Sequence, residues 1–111
     1  MEYNMHVEDD VFKSIKDGRK TIEMRLFDEK RREFKVGDFI IFKNRKTTDT
    51  LKCEITNLFQ YNNFEELYKH HDKVSLGYNE DDVASPADMN IYYDLDKMNK
   101  YGVLAIEIRL I

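Results

Sequence analysis

Apolar residues recur every second position in four short stretches of this chain, and that period most narrowly limits what it can fold into. Tyr3, Met5 and Val7 alternate with Asn4 and His6; Ile22, Met24 and Leu26 with Thr21, Glu23 and Arg25. Leu51, Cys53 and Ile55 alternate with Lys52, Glu54 and Thr56, and Leu104, Ile106, Ile108 and Leu110 with Ala105, Glu107 and Arg109. A period of two belongs to a strand with one buried face. A fifth stretch, Phe39-Ile40-Ile41-Phe42, is apolar on both faces and reads as a central strand.

Helical signals lie between these stretches. Residues 8–17 start with Glu8, Asp9 and Asp10, place Val11, Phe12 and Ile15 on one face, and end at Gly18. Asn63 with Glu66 three residues on forms a capping box for a helix whose inner face is Phe64, Leu67, Tyr68 and His71. Residues 72–84 read as an irregular loop. Ser85-Pro86-Ala87-Asp88 opens a helix expected to run to about Lys100 and stop at Gly102. The order is β-α-β-β-β-α-α-β. The expected fold is α+β: a small five- to six-stranded mixed β-barrel with two or three flanking helices.

With 111 residues, one proline and four glycines, the chain is expected to form one domain over residues 1–111. The single cysteine, Cys53, rules out an internal disulfide and falls at an inward strand position, where a small buried hydrophobe is expected. No apolar run is long enough for a membrane helix, and the first residues carry no basic-then-apolar leader pattern, so a cytoplasmic location without a membrane partner is expected.

The net charge of −4 argues against a dedicated nucleic-acid binder, but its distribution is uneven. Residues 13–52 hold thirteen Lys/Arg against seven Asp/Glu; the rest of the chain holds five against fifteen. Such asymmetry can present an anion-attracting face on an acidic protein. No cofactor or metal is expected. Neighbouring His70 and His71 on a helix point about 100° apart and lack Cys or His partners at ligand spacing. Glu80-Asp81-Asp82 lacks the spacing of a calcium loop, and no phosphate-cradling glycine loop occurs. Lys30-Arg31-Arg32 reads as a solvated loop.

The segment with most chemistry is Gly18–Arg25. A helix ends at glycine and the chain turns straight into a strand. Lys20 lies at the turn, and Glu23 and Arg25 project from one strand face, about 6.5–7 Å apart by strand rise. Lys and Arg can hold a phosphate or a polarised carbonyl, and Glu can accept from an amino group or carry a proton. From pattern alone, solvated cross-strand partners are the simpler reading of these outward residues.

The same residues carry a resemblance. Asp17-Gly18-Arg19-Lys20-Thr21, the strand Ile22-Glu23-Met24-Arg25, Lys35-Val36-Gly37-Asp38 leading into Phe39–Phe42, a tyrosine-bearing final helix and Tyr101-Gly102-Val103 together resemble the ASCH domain of the PUA-like superfamily. That resemblance implies a small barrel with a basic cleft beside the G-x-K-T-x-E-x-R strand, and RNA or a nucleotide as ligand. Carried over by position, it implies ligand contacts from Lys20, Thr21, Glu23 and Arg25, with Tyr92, Tyr93 and Tyr101 able to stack a base. One branch of the family resembles amidohydrolases of acylated cytidine that use a threonine nucleophile, a lysine and a glutamate. Lys20 matches that lysine, but Glu23 occupies the threonine's position. A binding module is therefore expected ahead of a hydrolase of the amidohydrolase or ribonuclease type, for which Lys20 and Glu23 would be the catalytic pair. A protein-interaction domain is the third reading.

Overall fold

A computed structural model describes residues 1–111. Five strands, β1 (Glu2–Val7), β2 (Ile22–Leu26), β3 (Phe39–Asn44), β4 (Thr50–Tyr61) and β5 (Val103–Leu110), form one mixed sheet in the order β1-β3-β4-β5-β2. β1 and β3 run parallel, and the other three pairings are antiparallel. The five alternating or doubly apolar stretches of the sequence are these five strands.

The twelve-residue β4 organises the sheet. Its first residues pair with β3, its remainder pairs with β5, and a register break between Ile55 and Asn57 interrupts the β5 ladder. An extra residue at such a break bends the strand and increases its twist. The sheet curls into a half-barrel, with β1 and β2 as its two edges.

Its concave face holds Met5, Val7, Phe12, Ile15, Phe34, Ile40, Phe42, Cys53, Ile55, Leu104, Ile106 and Ile108. Cys53 is wholly buried there, and burial pushes its thiol up to about 11, so it behaves as a small hydrophobe. A second cluster on the other face packs Ile22, Met24, Leu26, Val103 and Ala105 under the helical segments through Phe64, Leu67, Leu76, Met89 and Met98.

The helices follow their caps. α1 (Asp9–Lys16) places Asp9 and Asp10 in its first turn and is followed by Gly18 at φ +79°. α2 (Phe64–His70) starts at Asn63, whose side chain accepts from the Glu66 amide at 2.9 Å. Residues 72–84 contain one helical turn, α3 (Lys73–Leu76), closed by Gly77 at φ +114°.

The expected helix over residues 85–100 is in fact two pieces. Ser85 and Asp88 form the anticipated capping box, but the helix they start is a 3-10 segment, Pro86–Ile91. A fresh start follows at Asp94, which caps α4 (Leu95–Tyr101) by accepting from the Lys97 amide at 2.8 Å. Two competing caps divide the segment, and the break turns Tyr93 inward against Phe64, with ring centroids 6.1 Å apart.

Candidate functional site

The half-barrel does not close between β1 and β2, and that gap is a cleft of about 570 Å³. One side is the end of β1 and the start of α1, with His6, Asp10 and Ser14. The floor is the turn into β2 and the strand itself, with Lys20, Glu23 and Arg25. The far side comes from α2, the end of α3 and the 3-10 segment, with Tyr68, Tyr78, Asp88, Met89, Tyr92 and Tyr93. Arg45, from the β3–β4 turn, stands at the rim and pairs with Glu8 at 3.3 Å.

Lys20, Glu23 and Arg25 converge here, but not as solvated outward residues. Neither face of β2 is solvated, although Arg25 keeps 20% of its side chain exposed. Ile22, Met24 and Leu26 face the helices, while Glu23 and Arg25 face the concave side, opposite Ile106 and Leu104 of β5. Lys20 is 5% exposed and Glu23 6%. The expectation that alternation separates a core set from a solvent set fails, because a strand covered by helices outside and by a half-barrel inside has no solvent face.

Each buried charge has partners. Lys20 donates to the Leu76 carbonyl at 2.7 Å and lies 3.5 Å from Glu23 Oε1. That carbonyl belongs to the last turn of α3 and has no partner within the helix. Glu23 Oε1 accepts from the Met24 amide at 2.9 Å, capping a donor on the free edge of β2. Glu23 Oε2 accepts from Arg25 Nη2 at 3.2 Å, and the same nitrogen reaches the His6 carbonyl across the gap at 3.4 Å. The Arg25 guanidinium thus joins the two edge strands where no backbone ladder does.

Burial alone would raise the Glu23 carboxyl. The Lys20 and Arg25 charges, with the Met24 amide, outweigh it and hold the group below its ordinary range. Burial likewise opposes the charge on Arg25, yet neighbouring Glu23 and Tyr93 hold its pKa above the usual value. Tyr93 is raised mainly by its burial, so its hydroxyl stays protonated near neutrality.

Tyr92 and Tyr93 line the cleft as expected for ring-bearing residues, whereas Thr21 and Tyr101 fall outside it. The Thr21 amide and carbonyl are taken up by Ser75 and Ile108, fixing the turn. Tyr101 lies behind Tyr92 and Tyr93, in a shallow depression with Asp28 and Asp94. The expected basic character is also absent. Lys20, Arg25 and Arg45 each sit beside an acidic partner, and Asp10 and Asp88 add negative charge to the lining. The chain's basic residues cluster in sequence but interleave with acids in space.

Sequence reading missed Tyr68, Tyr78, Asp10 and Ser14 as cleft residues. Tyr78 lay in a stretch read as loop. Asp10 and Ser14 sit on the polar side of a helix whose apolar face carried the reading. Outside the cleft, His70 stacks on Tyr61 and His71 shares a 2.9 Å hydrogen bond with the Tyr61 hydroxyl, which gives both histidines partners on the surface.

Comparison with known proteins agrees with this architecture. The ASCH domain model matches residues 5–111. The crystal structure of the hypothetical protein PH0355 is similar at 34% identity and a TM-score of 0.84, over 100% of both chains. The solution structure of protein PF0455 from Pyrococcus furiosus is similar at 35% identity and a TM-score of 0.75, over 100% of this chain and 98% of that one. An S128A mutant of ZmASCH from Zymomonas mobilis superposes with a TM-score of 0.71 at 14% identity, over 97% of this chain and 67% of its own, a likeness of fold alone. No curated protein matches the chain. No helix is long and apolar enough to cross a membrane.

Proposed function

The chain belongs to the ASCH domain family, and from that membership we propose that it is a recognition module that takes a base of RNA, or of a free nucleotide, into the cleft between β1 and β2. The family is associated with RNA binding. The observation that carries the reading to this cleft is the buried charge cluster on its floor. A lysine, a glutamate and an arginine held together in a concave site, where apolar residues would fit the sheet equally well, is the kind of arrangement that marks a binding or catalytic centre.

The electrostatics favour a base over a phosphate as the inserted group. Neither Lys20 nor Arg25 is a free cation, and Asp10 and Asp88 would repel a phosphate. Tyr92 and Tyr93 offer ring faces for a base, worth ~1–3 kcal/mol each when stacked. Recognition stands ahead of hydrolysis because Glu23, held ionised by two cations, is a weak proton acceptor near neutrality.

The test is a heteronuclear NMR titration with a short single-stranded oligoribonucleotide and with mononucleotides. Amides of residues 20–25 and 88–93 are expected to shift, with only shallow salt dependence. Arg25→Ala, which leaves Glu23 its lysine partner, is expected to weaken binding about tenfold. Shifts confined to another surface would overturn the proposal.

A further inference from the structure

The wall of the cleft opposite β2 carries a hydrogen-bond chain whose proton positions are determined by chemistry. Tyr78 has one hydroxyl hydrogen. Two groups compete for it, Asp88 Oδ2 at 2.7 Å and the Ser85 carbonyl at 3.3 Å, and neither a carboxylate nor a carbonyl can donate in return. The hydrogen in the 2.8 Å bond between the Tyr68 and Tyr78 hydroxyls must therefore come from Tyr68. The order is Tyr68 to Tyr78 to Asp88. Burial, together with Tyr68 and Asp88, pushes the Tyr78 hydroxyl far above its ordinary value, so the chain keeps its protons.

The consequence lies at the cleft surface. Tyr68 has spent its hydrogen inside the wall and offers the cleft only oxygen lone pairs. Both protein hydrogen bonds to Asp88 fall on Oδ2, which leaves Oδ1 as a further acceptor. The α1 side behaves alike: Ser14 donates its hydroxyl hydrogen to the Asp10 carbonyl at 2.9 Å and presents lone pairs alone. Donors come from the floor, where the Lys20 ammonium has three hydrogens and one short bond, to Leu76. Lys20 thus brings donors from the floor, while Tyr68, Asp88 and Ser14 bring acceptors from the walls, beside the Tyr92 and Tyr93 hydroxyls, which can act in either sense.

We infer that the cleft selects a planar heterocycle bearing an exocyclic amino group over its oxo counterpart, with Tyr68, Tyr78 and Asp88 as the residues that set this specificity. The inference rests on the nucleobase reading above. An amino group gives its hydrogens to Tyr68 and Asp88. An oxo group at that position would set lone pairs against lone pairs and leave each acceptor without a donor. Sites built around hydrogen bonds discriminate most strongly in this way, because the mismatched partner strands the protein's own polar groups.

The probes are two pairs of nucleosides that differ in this feature, cytidine against uridine and adenosine against inosine, titrated by calorimetry beside single-stranded RNA. The amino member of each pair is expected to bind at least about tenfold tighter. Tyr78→Phe removes the acceptor for the Tyr68 hydrogen and frees that hydrogen for the ligand, so the preference is expected to fall steeply, with Asp88 left as the acceptor that still favours the amino group. Tyr68→Phe, which leaves the Tyr78–Asp88 bond in place, is expected to lower the ratio without reversing it; both variants are checked for cooperative unfolding. Equal binding of the paired nucleosides overturns this inference and leaves the proposed function standing. So does an unchanged ratio in two folded variants, or RNA binding with none of the four nucleosides bound. Absence of binding by RNA and nucleosides alike overturns both.

Discussion

Both faces of β2 are largely withdrawn from solvent, the concave one less completely at Arg25, whose side chain is 20% exposed, and they are held by different physics. On the helix side, Ile22, Met24 and Leu26 are 3–8% exposed and pack on Phe64, Leu67 and Met98. On the concave side, Glu23 and, from the turn before the strand, Lys20 are 5–6% exposed, and Glu23 pairs with both Lys20 and Arg25. Burying the first set is favourable in itself, at about 25 cal/mol per Å² of apolar surface. Burying the second costs several kcal/mol per ion before pairing offsets it. Apolar packing depends on filled volume and declines gradually as atoms are removed. An ion cluster depends on completeness, so loss of one member leaves the others uncompensated.

That contrast is broken most directly by Glu23→Ala against Met24→Ala, adjacent residues on opposite faces. Glu23→Ala leaves Lys20 and Arg25 without their shared carboxylate and is expected to cost about 4 kcal/mol in urea unfolding. Met24→Ala removes apolar atoms and is expected to cost about 2–3 kcal/mol. The pH dependence separates them further. The Glu23 carboxyl titrates lower in the folded than in the unfolded chain, so its contribution is full above the ordinary value of 4.5 and is lost as the pH falls through the lowered folded value. Glu23→Gln should therefore flatten the acid limb of the stability curve, while Met24→Ala should only displace it downwards. Parallel acid limbs in all three proteins would refute the distinction.

The same contrast explains what was legible in the sequence. Four strands were readable because period-two alternation registers one apolar face, and β3 because it is a short run apolar on both; Asn63, Ser85 and Asp88 act through local capping geometry. Position in the sheet is not local. The sequence of β2 reads as half-solvated, and its polar side is covered only by distant neighbours, the Leu76 carbonyl, Tyr93 of the cleft wall and, from the opposite edge, His6. The residue string pointed to the segment that floors the cleft, yet the electrostatic sign of that cleft was not legible in it. Arg45 meets Glu8 and Lys20 meets Glu23 through tertiary placement, and charge counted along the chain cannot see that pairing. Tyr78 was missed for the same reason: its partners Tyr68 and Asp88 are each ten residues away.

A smaller effect is expected where a neighbour positions the floor without belonging to it. Gly77 sits at φ +114°, and a Cβ there would lie 3.3 Å from Lys20 Cδ and 3.4 Å from Nζ. Gly77→Ala combines backbone strain with pressure on the lysine and is expected to cost about 2 kcal/mol. Its sharper consequence concerns the ligand. Displacing Nζ from the Leu76 carbonyl should weaken nucleotide binding more than the Arg25→Ala change does relative to stability lost. Gly18→Ala serves as the control, since its φ of +79° is also in the left-handed region but its Cβ would meet nothing within 4 Å. Equal loss of binding in the two variants would remove Lys20 from the recognition surface.

The smallest expected effect on stability is the most informative. Replacing the whole cluster by apolar residues of similar length, Lys20→Met, Glu23→Leu and Arg25→Met together, removes the desolvation cost along with the pairing. Exchanges of this kind in buried ion clusters are often neutral or stabilising, so the change in unfolding free energy is expected to be about zero, in contrast to the large loss from Glu23→Ala alone. Three bonds are lost with the charges: Lys20 to the Leu76 carbonyl, Arg25 to the His6 carbonyl and Glu23 to the Met24 amide. The last two lie at the edges of the gap, where water can replace the missing partners. If the triple variant is as stable as the parent but binds neither RNA nor nucleosides, the charges on the concave face of β2 are there for the ligand, and the fold tolerates them. If it is as unstable as Glu23→Ala, the guanidinium bridge between β1 and β2 is itself part of what holds the half-barrel together, and the two faces of β2 differ in chemistry but not in purpose.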